Sequence, residues 1–201
     1  MEIVSNLKNK YNVNKPISID EIRSMFNNYS KIRVAQLIKE SVDKGELARF
    51  ENGMYYIPVK TILGNSILSA NEVIEKKYIR NDIEVYGFYY GLSFMNKVGL
   101  TTQVPNAYEI MTNKESTRVR KVKVGNQEVI LRKARITINE GNVIALQFLE
   151  FITSTNMSFL YSNKEKITQY SLNNVDREQI SKYILKYPSK TIKKLYLLGA
   201  L

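Results

Sequence analysis

A chain of 201 residues that is 44% hydrophobic and carries a formal net charge of +11 is too apolar for a disordered segment, and polyanions are its natural partners. It has no cysteine and no histidine, which removes disulfide frameworks, thiolate chemistry, the usual zinc sites and the commonest general base. The N-terminus MEIVSNLKNKY lacks the charged-then-apolar order of a signal peptide, and the longest apolar stretch, Val143 to Ile152, is too short to span a bilayer, so a cytoplasmic protein without membrane contact is expected.

Residues 2–12 read as a short leading helix with Ile3, Leu7 and Tyr11 inward. Ser18 and Glu21 have capping-box spacing, and Ile19, Ile22, Met25 and Phe26 continue as one apolar stripe. Asn27-Asn28-Tyr29 is a polar turn, after which Ser30 can cap a second helix running from about Lys31 to Lys44. Gly45 stands where a left-handed helix end favours glycine. Leu47, Arg49 and Phe50 read as a strand, Asn52-Gly53 as a hairpin turn, and Met54 to Ile57 as the return strand, ended by Pro58. Two helices, a short turn and a hairpin are the layout of a winged helix-turn-helix.

In that layout the early residues of the second helix meet base edges in the major groove of duplex DNA. The candidates are Ser30, Lys31, Arg33, Gln36 and Lys39, with Arg49, Asn52 and Gly53 of the wing on the backbone. Arg33 suits guanine or a phosphate, and Gln36 suits adenine. The helical wheel is ambiguous, because Ile32 and Ala35 compete with Val34 and Ile38 for the core stripe. Glu40 and Asp43 interrupt a uniformly basic face.

Lys60 to Asn65 read as a connector, placing a boundary near residues 59–68 between a domain at 1–60 and another at 66–201. Ser69 and Glu72 have capping-box spacing, starting a helix to about Lys77. Phe88, Leu92 and Met95 then show a helical repeat that should end at Gly99, and Tyr108 to Thr112 read as a strand. The cluster Tyr86, Phe88, Tyr89 and Tyr90 is compatible with core and with a base-stacking platform. Residues 114–135 hold 8 Lys/Arg against 2 Asp/Glu around a Gly125-Asn126 hairpin turn. Arg118, Arg120, Lys121, Lys123, Arg132, Lys133 and Arg135 should make one side of this sheet positive, either to hold nucleic acid or an acidic partner, or to guard an edge strand.

Asn142 to Thr153 read as a largely buried helix. Asp176 and Gln179 have capping-box spacing for a helix with Ile180, Tyr183, Ile184 and Tyr187 inward. Pro188 breaks it, Ser189 caps the next, and Ile192, Leu195 and Leu198 continue inward. Lys186, Lys190, Lys193 and Lys194 make this tail basic. No glycine-rich phosphate loop and no paired carboxylates appear, so no enzyme, catalytic residue, metal site or cofactor is assigned. The fold expected is α+β: an N-terminal winged helix-turn-helix, then a mixed α/β domain with a basic hairpin and C-terminal helices.

The segments GMYYIP, YGFYYGLSFMNKVGLTTQVP, EIMTN and ISKYILKYPSKTIKKLYLLGAL resemble the AbiEi-type abortive-infection antitoxins of phage-defence toxin–antitoxin systems, over about residues 15–198. The resemblance implies a transcriptional autorepressor whose winged helix binds inverted repeats in its own promoter, with the reading helix at 30–44 and the wing at 47–57. It implies a second domain that neutralises a nucleotidyltransferase-type toxin, described in that family as antagonism without a stable complex, and it transfers no catalytic motif. A monomeric state in solution is compatible with it. Two alternatives stay open: an interaction protein that binds its toxin directly, and an RNA-binding module that occupies the toxin's RNA substrate.

Overall fold

The computed structural model describes residues 2–62 and 64–199. Met1, Leu63, Ala200 and Leu201 lie outside the described residues, and with them the outer ends of both expected domains and the last two residues of the closing motif. With 46% helix and 19% strand, the chain is mixed α+β, neither a helical bundle nor a sandwich. It divides into two compact units, Met1–Lys76 with Val124–Asn126, and Lys77–Lys123 with Gln127–Leu201. The division falls inside the helix Ala70–Tyr78, beyond the connector read at 59–68.

In the first unit, α1 (Glu2–Lys10) turns Ile3, Val4 and Leu7 inward, and Tyr11 is buried just past its end. A two-residue strand that the sequence reading missed, β1 (Ile17–Ser18), leads into α2 (Ile19–Met25). The capping box forms: Ser18 Oγ accepts from the Glu21 amide at 3.2 Å, and the Glu21 carboxylate accepts from the Ser18 amide at 2.8 Å. Then comes α3 (Lys31–Asp43), whose first turn is closed by Ser30 Oγ accepting from the Arg33 amide at 3.1 Å. Gly45, at φ +69°, ends it in the left-handed conformation that a side chain resists. The hairpin follows as β2 (Ala48–Glu51) and β3 (Met54–Tyr56), with β1 paired antiparallel to β3, so the sheet order is β1-β3-β2. One core joins these elements through Ile17, Ile22, Val34, Ile38, Leu47 and Ile57, all at most 3% exposed. Where a plain connector was expected, β4 (Lys60–Thr61) and β5 (Gly64–Asn65) pair antiparallel. Lys76 of α4 (Ala70–Tyr78) pairs with Glu21 at 2.7 Å, and Lys15 pairs with Glu72 at 3.0 Å.

The second unit corrects the aromatic segment. Where a helix was expected through Phe88, Leu92 and Met95, the chain forms β6 (Gly87–Tyr89) and then the shorter α5 (Gly91–Lys97). Strand pairing overrides the helical repeat: Phe88 sits opposite Met111 and Tyr89 opposite Ile110 on β7 (Ala107–Thr112), and aromatic side chains suit a pleated, buried surface. Tyr86, Phe88 and Tyr89 are buried and belong to the core, while Tyr90 is half-buried. Beyond β7 the chain runs to β8 (Val119–Val124) and returns through Gly125-Asn126 as β9 (Gln127–Lys133). The order β6-β7-β9-β8 puts β9 parallel to β7, with Tyr108 opposite Val129 and Ile110 opposite Leu131.

The hub of this unit is α6 (Val143–Ser154), buried from Leu146 through Thr153 except at Gln147, whose Nε2 donates to the Tyr89 carbonyl at 2.8 Å. Asn142 precedes that helix and does not cap it with its side chain. Phe94 meets Phe151 at 5.3 Å and Tyr170 edge-on at 5.7 Å between ring centroids, arrangements favoured by the ring quadrupoles. Two helices were missed, α7 (Met157–Ser162) and α8 (Lys164–Asn174). α9 (Arg177–Ile184) is capped by Asp176 as expected, although the bond goes to the Glu178 amide, at 2.9 Å. In α10 (Ser189–Leu198) Pro188 holds the cap position, so Ser189 is already helical. Leu195 and Leu198 are buried as expected; Ile192 is 36% exposed, and Thr191 takes its inward place, bonded to Thr153 at 2.8 Å between hydroxyls.

Candidate nucleic-acid interface

The ambiguity of the α3 wheel is resolved by Ser41. Val34, Ile38 and Ser41 are buried, at helical spacing i, i+4 and i+7. Ser41 turns its hydroxyl onto the Leu37 carbonyl at 2.9 Å, which lets a polar residue share the core stripe. At 100° per residue the opposite face is centred on Ile32, Gln36 and Asp43, with Lys39 beside them, so one carboxylate stands on that face. All four are exposed, with Arg33 and Glu40 along one border of that face and Ala35 along the other, while Lys31 is exposed in the first turn outside it.

These side chains are partly engaged with each other. Arg33 Nη1 donates to Gln36 Oε1 at 3.4 Å and lies 3.6 Å from a Glu40 carboxylate oxygen. Ser30, counted among the contacts, spends its hydroxyl on the helix cap, so its part is to fix where the helix begins. On the hairpin, Arg49 Nη2 donates to Asn52 Oδ1 at 2.7 Å, and Arg49 Nε reaches the Glu51 carbonyl at 3.4 Å. Gly53, at φ +78°, makes the turn and accepts the Ile19 amide at 2.9 Å, which ties the hairpin tip to the start of α2. Helix face and hairpin tip are therefore held by one core and one backbone bond within the same unit.

The second unit does not present the single positive face that was expected. Side chains alternate along a strand, so Arg120 lies on the side opposite Lys121 and Lys123, and Arg132 opposite Lys133. Several cations are also engaged internally. Arg120 binds buried Glu115 at 2.7 Å, Arg132 binds Glu109 at 3.1 Å, and Arg135 binds buried Glu150 at 3.1 Å. Lys194 Nζ donates to the carbonyls of Ile152 at 3.0 Å and Thr153 at 3.2 Å and to that of Thr155, neutralising the open end of α6. Burial holds its ammonium pKa below the ordinary value, with Lys190 adding to the effect. Arg118, Lys121, Lys123, Lys133, Lys186, Lys190 and Lys193 are exposed and form no ion pair among the described residues. Sequence charge alone could not sort these two sets, because the carboxylate partners lie 5 to 23 residues away.

Burial works to raise the Glu115 carboxyl, but the Thr117 amide, the Arg120 guanidinium and the Thr117 hydroxyl outweigh it and hold the pKa at about 2 against an ordinary 4.5. Because the folded value is the lower one, this stabilisation is complete above about pH 4.5 and is lost as pH falls toward about 2. Glu115→Gln is therefore expected to lower the thermal midpoint at neutral pH, with the gap to the wild-type chain narrowing across that window. A constant gap from pH 7 to pH 2.5 in thermal melts would refute the assignment.

Among the described residues no group of three or more acidic side chains is placed to hold a metal ion, and no helix is long and apolar enough to cross a membrane. A protein-family model described as a family of unknown function (DUF6088) matches residues 17–181. The chain also superposes on the crystal structure of the RV2827C protein from Mycobacterium tuberculosis, with a TM-score of 0.51 and 11% identity over 98% of this chain and 75% of that one, a likeness of fold alone. No curated protein matches.

Proposed function

The chain belongs to the DUF6088 family, whose function is unknown, and on that premise we propose that it is a sequence-specific duplex-DNA-binding protein acting as a transcriptional repressor in the cytoplasm. The observation that carries this is the outward face of α3. Gln36 and Lys39 are joined by Arg33 at the border and by Asp43, with Lys31 exposed in the first turn and Arg49 and Asn52 on a hairpin fixed to the same core. α2, α3 and the β1-β3-β2 sheet match the order of a winged helix-turn-helix, in which α3 enters the major groove and the hairpin meets the phosphates. Arg33 is poised to exchange Glu40 for a guanine edge or a phosphate, and Gln36 to present its amide to adenine. The chain acts by binding and not by catalysis.

The resemblance to AbiEi-type antitoxins extends this proposal: the repressor acts on its own promoter, and its second unit neutralises a nucleotidyltransferase-type toxin without a stable complex. The alternative of RNA shielding loses part of one support, since three of the four aromatics of the cluster, Tyr86, Phe88 and Tyr89, are buried in the core.

The test is a salt-dependent gel shift of the full chain against its own upstream DNA and a scrambled duplex of equal length. We expect about a hundredfold preference for the upstream DNA, and an affinity that falls linearly on a log–log salt plot with a slope near −5 for about six phosphate contacts. Equal binding to both duplexes would overturn the repressor reading.

A further inference from the structure

We infer that Ile32 reads the C5-methyl group of a thymine in the major groove, so that the preferred duplex carries a thymine within one or two base pairs of the adenine read by Gln36. This inference rests on the duplex-DNA reading of α3 above. Ile32 is 73% exposed and stands on the outermost line of a regular helix, one turn before Gln36. Among the described residues of this unit, Val13, Ile62 and Ile67 are also strongly exposed, and they lie in turns and loops and not on a regular helix. On α3 the burial of Val34, Ile38 and Ser41 fixes the orientation and sends Ile32 outward among Arg33, Gln36 and Lys39.

A helix in the major groove meets polar base edges and one apolar group, the thymine methyl. An aliphatic side chain near the N-terminus of such a helix is placed to cover it, because the early residues approach the base edges most closely. Ile32 and Gln36 are four residues apart, about 6 Å along the axis, so both fall within about two base-pair steps of each other. Ala35, exposed on the border of the same face, is small enough not to hold the helix away from the groove. Covering a methyl removes apolar surface from water on both partners, which costs a solvated Ile32 nothing in core packing.

The experiment compares the preferred upstream duplex with versions in which each thymine is replaced singly by deoxyuridine, which pairs identically and lacks only the methyl. For the wild-type chain we expect a loss of about fourfold in affinity at one position in each half-site and none elsewhere. Ile32→Ala should bind the parent duplex more weakly by a similar factor and be insensitive to that deoxyuridine, the signature of a shared contact in a double-mutant cycle. Wild-type affinity unchanged at every deoxyuridine position, with preference over the scrambled duplex retained, would overturn the thymine contact and leave the repressor reading standing. Absence of any preference for the parent duplex would overturn both. Circular dichroism of Ile32→Ala guards against a folding artefact, which an exposed side chain is not expected to produce.

Discussion

Replacing Arg33 and Gln36 together with alanine is expected to lower affinity for the preferred duplex by about a hundredfold or more, while binding to scrambled DNA changes only a few-fold. Each side chain, as a well-formed contact to a base edge, discriminates by about 1–3 kcal/mol, so the pair accounts for roughly thirtyfold to twenty-thousandfold. Nonspecific binding depends on phosphate neutralisation, to which Arg33 contributes one charge of several. The two residues should be treated as a unit, because Arg33 already donates to Gln36 at 3.4 Å and their losses will not add. Glu40 supplies an internal control: its carboxylate sits 3.6 Å from the Arg33 guanidinium and competes with DNA for it. Glu40→Gln should therefore tighten binding to both duplexes and steepen its salt dependence. Equilibrium binding of the three chains to both duplexes checks this. If the double alanine variant kept its preference for the upstream DNA, α3 would not be the reading helix.

Legibility of the sequence followed the range of the interactions involved. The Ser18–Glu21 box, the Ser30 cap and the Gly45, Gly53 and Gly125 turns are local devices, and each was readable from a few adjacent residues. The β6 strand was not, since Phe88 and Met95 share a helical repeat and only pairing with β7, some twenty residues on, decides against it. Helix α8 lacks a readable stripe because Ile167 is its one buried apolar residue, while α7 carries a local cue in Asn156, whose side chain accepts from the Phe159 amide. In the candidate interface the charged and polar residues were legible by type. What could not be seen was the orientation of Ile32, which depends on a serine lying in the core, or the pairing of Arg120, Arg132 and Arg135 with distant carboxylates. The split of the basic hairpin between two faces was open to a parity count, since Arg120 is even-numbered and Lys121 and Lys123 are odd.

The largest stability effect is expected from Gly87→Ala. Glycine here is required by space and not by backbone angle. A Cβ at this position would lie 2.0 Å from the Tyr78 carbonyl oxygen and 2.9 Å from that of Met111. Both are backbone atoms, so no side chain can swing aside. The Gly87 amide already donates to the Ile79 carbonyl at 2.9 Å, and the Tyr86 carbonyl accepts from the Asn113 amide at 2.8 Å, which clamps β6 between the end of α4 and β7. Accepting a methyl means breaking one of these seams, and Tyr86, Phe88 and Tyr89 would move out of the core with it. Insertion into well-packed cores costs about 1–3 kcal/mol where side chains can give way, and here the cost should exceed about 3 kcal/mol. For a chain of this size, that is a fall of roughly 10 °C in melting midpoint. Limited proteolysis of the variant should cut first near β6 and β7, while the wild-type chain resists there. A midpoint within about 2 °C of the wild type would refute the steric requirement for glycine at position 87.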